Sequence, residues 1–240
     1  ECKKRGILTG YTPGVLQRTV AELTVALLLA TTRRLSPAID SVRNNGWGTW
    51  EPLGYCGTDI WGKTLGICGM GEIGLEVVKR MRGFGCHIIY SDIRRKPDWE
   101  NEYQIEYVSM DDLLKRSDFI SIHTTLNQHT RKMFNMEKFK MMKKDAIIVN
   151  TSRGPVIDQE DLIKALQQGI IGGAGLDVAD PEPVKADNPL LKMPNVVVLP
   201  HIASASIATR TRMGEIAAEF ALKGMLGGDL NPKWIVPGTQ

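Results

Sequence analysis

The chain has 240 residues, 42% of them hydrophobic and 24% charged, which is enough apolar material for one large α/β domain or for one and a half smaller ones. Its formal net charge of +3 comes from interspersed lysines and arginines, which argues against the clustered basic face of a nucleic-acid-binding protein. The four cysteines form no CxxC pair, and the sequence has neither a signal peptide nor a bilayer-length apolar run, so we expect a cytoplasmic protein with no metal site and no membrane partner.

The first part of the chain predicts a short strand followed by two helices. Residues 6–9 are typical of a strand with no partner upstream, and residues 19–35 predict a helix whose alanine, leucine and valine residues cover most of its circumference. Such a helix is expected to be buried. Ser36 is expected to cap the second helix, with Pro37 at its first position.

Trp47 and Trp50 follow the second helix in a loop that contains glycine and proline. Two tryptophans in such a loop are typical either of packing anchors or of a contact between subunits, and both interpretations stay open. The helix at residues 20–30 is apolar on more faces than one domain covers, so we expect a homodimer.

An apolar strand at residues 64–68 runs into the glycine-rich turn Gly69-Met70-Gly71-Glu72-Ile73-Gly74. In the dinucleotide-binding pattern the first glycine permits a tight turn, the second lets a pyrophosphate approach the backbone, and the third lets the next helix pack on its strand. The helix expected at residues 73–81 would offer its N-terminal N–H groups to the pyrophosphate. Taken alone, the pattern is also compatible with an ordinary strand-to-helix turn.

Asp92 follows the second strand, which is expected at residues 88–90. It lies 18 residues after Gly74, near the offset at which a carboxylate reaches the adenosine ribose. Its charge favours NAD over NADP because it would repel a 2′-phosphate. Arg94 and Arg95 act in the opposite direction if they bind that phosphate, or they are simply solvated charges.

The chain then alternates between strands and helices. Further strands are expected at residues 105–108, 119–123, 146–150, 174–178 and 196–199, and helices at residues 109–116, 136–142 and 159–168. The fold class is therefore α/β, with a doubly wound parallel sheet of the Rossmann type. Ligands of such a sheet lie at the carboxyl ends of its strands.

Polar residues at three of these strand ends suggest catalysis. For a hydride donor bound here, the natural partner is a small 2-oxo acid: Arg153 can bind its carboxylate, and His201 can give its carbonyl oxygen a proton. Glu182 is the third member, because a carboxylate beside an imidazole favours the protonated form. Each residue also has an ordinary structural alternative: a strand end for Arg153, a turn for Glu182 and a core histidine for His201.

Several motifs now identify a family. The segments at residues 150–154 (NTSRG), 175–178 (GLDV), 181–183 (PEP) and 200–202 (PHI) resemble the signatures of the D-2-hydroxyacid dehydrogenases, and the match extends over nearly the whole chain. The stretch from Thr31 to Trp50 is most similar to the glyoxylate/hydroxypyruvate reductase branch.

The resemblance implies a set of site residues. Arg153, Glu182 and His201 would be catalytic. The cofactor NAD, or NADP, would contact Gly69, Met70, Gly71, Glu72, Ile73, Gly74, Asp92, Thr124, Thr125, Asn127, Thr151, Ser152, Arg153, Asp177, His201 and Ser204. Asp177 would face the nicotinamide amide.

The resemblance also implies a domain organisation. Residues 1–10 would be a remnant of a flavodoxin-like substrate domain, residues 11–204 the dinucleotide-binding domain, and residues 205–240 a C-terminal helix and tail returning toward the substrate domain. Most of that domain would precede Glu1, so this chain would be a truncated form with half a site. Two other functions stay open: a non-enzymatic NAD(H)-binding regulatory module, like the family's transcriptional corepressors, and a dimer-forming scaffold.

Overall fold

The structure, a computed structural model, describes residues 1–236. The chain divides into two compact units: residues 1–19 with 204–240 form one, and residues 20–203 form the other. The functional boundaries expected from the sequence, at residues 1–10, 11–204 and 205–240, remain predictions.

The larger unit is built on one parallel sheet. The helices of the chain are α1 (Gln17–Thr32), α2 (Leu35–Arg43), α3 (Glu72–Met81), α4 (Pro97–Tyr103), α5 (Met110–Arg116), α6 (Met136–Met141), α7 (Gln159–Gln167) and α8 (Ile207–Leu226). The strands are β1 (Thr64–Cys68), β2 (His87–Ser91), β3 (Glu106–Tyr107), β4 (Phe119–Ile122), β5 (Ile147–Asn150), β6 (Gly173–Leu176) and β7 (Val196–Val198). Their order is β3-β2-β1-β4-β5-β6-β7, and every neighbouring pair is parallel. The predicted doubly wound sheet is confirmed.

The central strands are mostly apolar and fully buried because both faces of the sheet are covered. All four residues of β4, β5 and β6 are buried. Successive side chains point to opposite faces: Ile148 joins the core layer formed with α5, α6 and α7, whereas Ile147 and Val149 join the layer formed with α1 and α3. The sheet is therefore a rigid platform whose loops at the carboxyl ends carry the polar residues.

Side-chain caps fix where α5, α6 and α7 begin. The Ser109 hydroxyl accepts the N–H of Asp112 at 3.1 Å, as the sequence predicts for α5. Asn135 caps α6 and Asp158 caps α7 in the same way.

The strand predicted at residues 6–9 is wrong. Lys3–Arg5 form a 3₁₀ turn that ends at Gly6, which has a positive φ of 62°. Gly10 instead forms a single antiparallel bridge with Ile235, flanked by the hydrogen bonds Tyr11 N–H to Trp234 O and Val236 N–H to Thr9 O, both 2.8 Å long. The partner of this segment lies downstream in the chain, which periodicity alone does not reveal.

The start of α2 also differs from the prediction. The helix begins at Leu35, and the residue before it, Arg34, adopts a left-handed conformation with φ of 52° instead of Ser36 acting as the cap. Pro37 then lies within the first turn, where its missing N–H costs nothing because the first N–H groups of a helix have no partner inside it.

α1 is buried along one face only. Its buried residues are Val20, Ala21, Thr24, Leu27, Leu28, Thr31 and Thr32. Leu23, Val25 and Leu29 stay partly exposed. The larger unit therefore does not cover all of the apolar surface that the sequence places on this helix.

The sequence reading missed α4. Pro97 occupies its first turn, where Asp98 and Glu100 supply negative charge. These features are typical helix N-terminal signals.

In the part of the chain that the structure describes, no helix has the length and apolarity needed to cross a membrane.

Candidate active site

The site lies where the order of the strands reverses. β1 pairs with β2 on one side and with β4 on the other, so the chain crosses in opposite directions from this point. In such sheets the crevice outside the carboxyl ends of the two strands is the ligand site. The glycine turn after β1 and residues 123–125 after β4 form its walls.

The three glycines of the turn differ in how much room a side chain would have at each position. Gly69 has a φ of +95°, and a side chain there would lie 2.8 Å from the carbonyl carbon of His123. A side chain on Gly74 would lie 2.6 Å from the Gly69 carbonyl oxygen, so this glycine lets α3 pack on β1. An added Cβ on Gly71 would meet no atom of the described chain within 4 Å. Fold packing therefore explains Gly69 and Gly74, whereas the space over Gly71 fits a bound pyrophosphate.

The N-terminus of α3 faces this space. Gly71 is its N-cap, and a glycine has no side chain with which to cap the helix. The N–H groups of the first turn of a helix, together with its dipole, form an anion site. Glu72 is exposed and Ile73 half-buried at this end.

Asp92 is held over the glycine turn. Its Oδ2 accepts the N–H of Met70 at 2.6 Å, and its Oδ1 accepts the N–H of Arg94 at 2.9 Å. Met70 itself is fully buried. Two backbone donors thus fix the orientation of the carboxylate, and its remaining lone pairs can accept ribose hydroxyl groups.

A cavity of about 430 Å³ lies beside this carboxylate. Its lining includes Gly69, Gly71, Asp92, Thr124, Thr125 and Asn127. The Thr124 hydroxyl is buried and has no hydrogen-bond partner within the described residues. A buried polar atom without a partner is rare in proteins. The cavity therefore fits the adenosine half of a dinucleotide, which would supply the missing partner.

Thr125 and Asn127 belong to a compact turn at the rim of this cavity. The Asn127 side-chain oxygen accepts the N–H of His129 at 2.8 Å, and the Thr125 carbonyl accepts the Thr130 hydroxyl at 2.6 Å. Both residues are exposed, so a ligand in the cavity can reach them.

The strand end at β5 is a second built turn. The Asn150 side-chain oxygen accepts the backbone N–H of Ser152 at 2.9 Å and its hydroxyl at 2.8 Å, and its amide donates to the Arg153 carbonyl at 3.0 Å. Thr151 is buried, and its hydroxyl shares a 2.8 Å hydrogen bond with Thr24 of α1. Arg153 is exposed at the end of this turn. A Cβ on Gly154 would clash with the carbonyl of Ala179, so the turn lies directly against the loop that follows β6.

His201 and Glu182 form a pair. His201 Nδ1 lies 2.9 Å from Glu182 Oε2, and Glu182 Oε1 accepts the N–H of Ala179 at 3.0 Å. Burial acts to raise the pKa of Glu182, but the hydrogen bonds from His201 and Ala179 and the charges of His201 and Arg153 outweigh it and lower that pKa. Glu182 is therefore a carboxylate near neutral pH, so Nδ1 must be the donor.

Asp177 fixes the backbone on which His201 lies. Its fully buried carboxylate accepts the N–H groups of Ile202 and Ala203, both at 2.8 Å, while its carbonyl accepts the N–H of His201 at 2.9 Å. Burial raises the pKa of Asp177, and the two N–H groups oppose that shift. His201 has a φ of +55°, which is uncommon for a side chain other than glycine. These three bonds fix that conformation and aim the imidazole.

The structure thus brings together most residues that the sequence predicts for the site. Arg153, Asp177, Glu182 and His201 converge, and the glycine turn, Asp92 and Thr124 line a cavity next to β1. Ser204 lies in the other unit, where its hydroxyl accepts Arg210 Nε at 3.1 Å. Its role in binding the cofactor stays a prediction. No cluster of three or more His, Cys, Asp or Glu side chains that could hold a metal is found among the described residues.

Sequence reasoning missed the residues that position the site. Asn150 orders the turn that carries Arg153, and Thr24 anchors Thr151. A threonine among the apolar residues of α1 was the available signal for Thr24, and an asparagine closing a buried strand was the signal for Asn150.

Comparison with known proteins identifies the family. Residues 25–203 match the sequence model of the D-isomer specific 2-hydroxyacid dehydrogenase, NAD binding domain. The chain belongs to the D-2-hydroxyacid dehydrogenase family. The recognised family, the NAD(P)-dependent oxidoreductase class and the NAD cofactor are therefore confirmed.

The relatives lie in the glyoxylate reductase branch of this family. The chain is 50% identical over 220 residues to a glyoxylate reductase of Korarchaeum cryptofilum, a match that covers 91% of this chain and 66% of that protein. It is 45% identical over 228 residues to the human glyoxylate reductase/hydroxypyruvate reductase, covering 95% of this chain and 70% of the relative. The crystal structure of a glyoxylate reductase from Paecilomyes thermophila superposes with a TM-score of 0.86 at 34% identity, covering 99% of this chain and 70% of the other. The chain thus spans about two thirds of the length of the relatives it matches.

Proposed function

We propose that this chain is the cofactor-binding part of an NAD(P)-dependent glyoxylate/hydroxypyruvate reductase, which transfers hydride to a small 2-oxo acid. The observation that carries the proposal is the hydrogen-bonded pair His201 Nδ1 to Glu182 Oε2, at 2.9 Å, within reach of the charge of Arg153. An acid and a cation at the ends of neighbouring strands are what reduction of a charged 2-oxo acid requires.

The glycine turn, the N-terminus of α3, Asp92 and Thr124 would hold the dinucleotide. When bound, reduced NAD supplies a hydride. Thr151, Ser152 and Asp177 lie at the strand ends on the nicotinamide side. The turn held by Asn150 fixes the first two, whereas Asp177 is occupied with the loop that carries His201. We therefore assign to Asp177 a positioning role through the backbone of residues 201–203.

Arg153 would bind the substrate carboxylate and His201 would give the proton. A guanidinium can bind a carboxylate through two parallel hydrogen bonds. Because Nδ1 of His201 is committed to Glu182, Nε2 is the nitrogen that faces outward, and it makes no hydrogen bond to any residue from 1 to 236. Proton transfer from Nε2 to the developing alkoxide, together with the hydride, would convert the oxo acid into the hydroxy acid, and Glu182 orients the imidazole through its hydrogen bond with Nδ1.

We also propose a cytoplasmic homodimer. Trp47, Trp50, Leu53 and Trp61 expose 77%, 84%, 85% and 78% of their surface, and they follow α1 and α2 in one continuous segment. Large apolar side chains grouped on a surface mark an interaction site. The half-buried leucines of α1 belong to the same part of the chain.

The experiment is an assay of glyoxylate- and hydroxypyruvate-dependent NADH oxidation by a chain that includes the further third present in the relatives. His201→Ala should lower kcat by about 10²–10⁴-fold with NADH binding intact. The 240-residue chain alone should bind NADH but turn over poorly, because a site that the relatives' additional third would close stays open to water. NADH binding by the longer chain without oxo-acid reduction would instead favour a regulatory NAD(H)-binding module.

A further inference from the structure

Arg95 is held by a carboxylate from the next helix. Arg95 Nε lies 2.9 and 3.1 Å from the two oxygens of Glu100, and Arg95 Nη2 lies 2.6 Å from Glu100 Oε2. The pair occupies Nε and Nη2, which form one of the two donor edges with which a guanidinium binds a phosphate. The sequence alone leaves open whether Arg95 serves a 2′-phosphate, and the structure commits it to Glu100.

The carboxylate of Glu100 is itself anchored from the core. The hydroxyl of the fully buried Tyr90 donates to Glu100 Oε1 at 2.7 Å and accepts the N–H of Lys96 at 2.6 Å. The Glu100 side chain is only 12% exposed, whereas that of Arg95 is 63% exposed. An exposed ion pair alone contributes little. Here one partner is fixed in place, so less entropy is lost when the pair forms.

An aromatic ring completes the hold on Arg95. Its guanidinium lies 5.9 Å from the centre of the Tyr107 ring, which packs edge-on against Tyr90 at 5.3 Å. The Tyr107 hydroxyl donates to the carbonyl of Asp92 at 3.3 Å. The network therefore runs from the buried end of β2 to Asp92, the residue that faces the adenosine ribose in the proposed site.

We propose that Glu100 is a specificity-determining residue, which favours NAD(H) over NADP(H) by holding and neutralising Arg95. The proposal rests on the proposed dinucleotide site. Asp92 repels a 2′-phosphate, and the Arg95–Glu100 pair withholds one of the two neighbouring arginines, Arg94 and Arg95, that would offset the repulsion. Binding of NADP(H) requires this pair to open, whereas binding of NAD(H) does not.

The test is calorimetric titration with NADH and with NADPH, which needs no turnover. Glu100→Gln keeps an oxygen for Tyr90 but removes the charge that holds Arg95, so NADPH affinity should rise about tenfold while NADH affinity stays within about twofold. Adding Arg95→Ala to Glu100→Gln should abolish the gain. In the otherwise unchanged chain, Arg95→Ala should leave NADPH affinity unaltered, because the guanidinium is already committed.

The matched control is Glu106→Gln. Glu106 pairs with Arg116 at 2.6 and 2.8 Å, so this variant removes the same charge and releases another arginine. NADPH affinity should not change in it. Thermal unfolding of each variant establishes that it is folded.

Three results would overturn the inference while leaving the proposed function standing. They are an unchanged preference in Glu100→Gln, a gain that survives Arg95→Ala, and a loss of NADPH affinity when Arg95→Ala is made alone. If the unaltered chain binds neither dinucleotide, the proposed function fails and this inference fails with it.

Discussion

His123 is a half-buried residue at the wall of the cavity beside Asp92, and protonation of its imidazole opposes folding. Its Nε2 lies 2.8 Å from the Ser121 hydroxyl, and burial lowers the pKa of the imidazole from 6.5 to about 4. The unfolded chain therefore binds a proton between these pH values that the folded chain does not. By linkage, stability is fully present above pH 6.5 and falls as the pH drops toward 4.

We therefore predict an acid-dependent loss of stability due to this one residue. The contribution from His123 should fall by roughly 2–3 kcal/mol between neutral pH and pH 4. Urea unfolding is measured for the unaltered chain and for His123→Gln at several pH values. The contribution of His123 is the difference between their slopes of unfolding free energy against pH. His129→Gln, at an exposed histidine, is the control and should leave the slope unchanged. Equal slopes in the unaltered chain and in His123→Gln would contradict the assignment.

Glu182 is expected to set the pH range of the reduction. Its pKa is lowered by His201, Ala179 and Arg153 against the effect of burial, so it carries its charge throughout the neutral range. Glu182→Gln removes that charge from beside the imidazole, so the alkaline limb of the kcat/KM profile should move to lower pH. The measurement is a pH–rate profile for glyoxylate reduction by the longer chain. Glu160→Gln, at an exposed acid of α7, should leave the profile in place, and an unmoved limb in Glu182→Gln would remove Glu182 from this role.

At the scale of elements, the turn between β1 and α3 separates packing from binding within six residues. Gly74 is needed for packing, because its Cβ would lie 2.6 Å from the Gly69 carbonyl, whereas the space over Gly71 is open. Gly74→Ala should therefore lower the free energy of unfolding by about 1–3 kcal/mol. Gly71→Ala should leave stability nearly unchanged and weaken NADH binding, because the new methyl group occupies the space proposed for the pyrophosphate.

Chemical denaturation and calorimetry of these two variants form a matched pair. The same methyl group is added three residues apart, so the comparison distinguishes a structural glycine from a ligand-binding one. If Gly71→Ala binds NADH as tightly as the unaltered chain, the pyrophosphate does not lie over this turn.

The loops that follow β5, β6 and β7 hold one another in place through direct contacts. Gly154 lets the turn carrying Arg153 approach Ala179, and Ala179 donates its N–H to Glu182. Asp177 in turn fixes residues 201–203. The acid, its carboxylate partner and the arginine are thus positioned by direct contacts between loops that follow three adjacent strands.

At the scale of the whole molecule, the exposed apolar segment predicts self-association. The mass of one chain is 26.6 kDa, and static light scattering at micromolar concentration should give twice that mass. Burial of the tryptophans is the driving force, so Trp50→Glu should yield a monomer. Trp99→Glu cannot serve as the control, because Trp99 packs against the core. Arg131→Glu, at an exposed polar position, can serve and should remain a dimer. A monomer at every concentration would contradict the proposal.

The sequence by itself determined the order and type of nearly all elements in the larger unit. The sequence predicts β1 with its observed bounds, and the predicted bounds of most other elements agree with the structure within one or two residues. This succeeded because both faces of the sheet are covered, so its strands are mostly apolar runs, and because helices such as α5 begin at capping residues such as Ser109. The motifs around Arg153, Asp177, Glu182 and His201 likewise identified the family.

Tertiary structure decided what a side chain does once distant segments meet. Thr9 and Tyr11 find their partner more than 200 residues later, Thr24 bonds to Thr151, and Asp177 holds the backbone beyond His201. Arg95 is the clearest case. Its charge and its position in the sequence are compatible with binding a phosphate or with facing solvent, and only the fold shows that it pairs with Glu100 and lies over the Tyr107 ring. Periodicity reports which face of an element is buried, but hydrogen bonds depend on short distances between segments, and those distances are fixed only when the whole core packs.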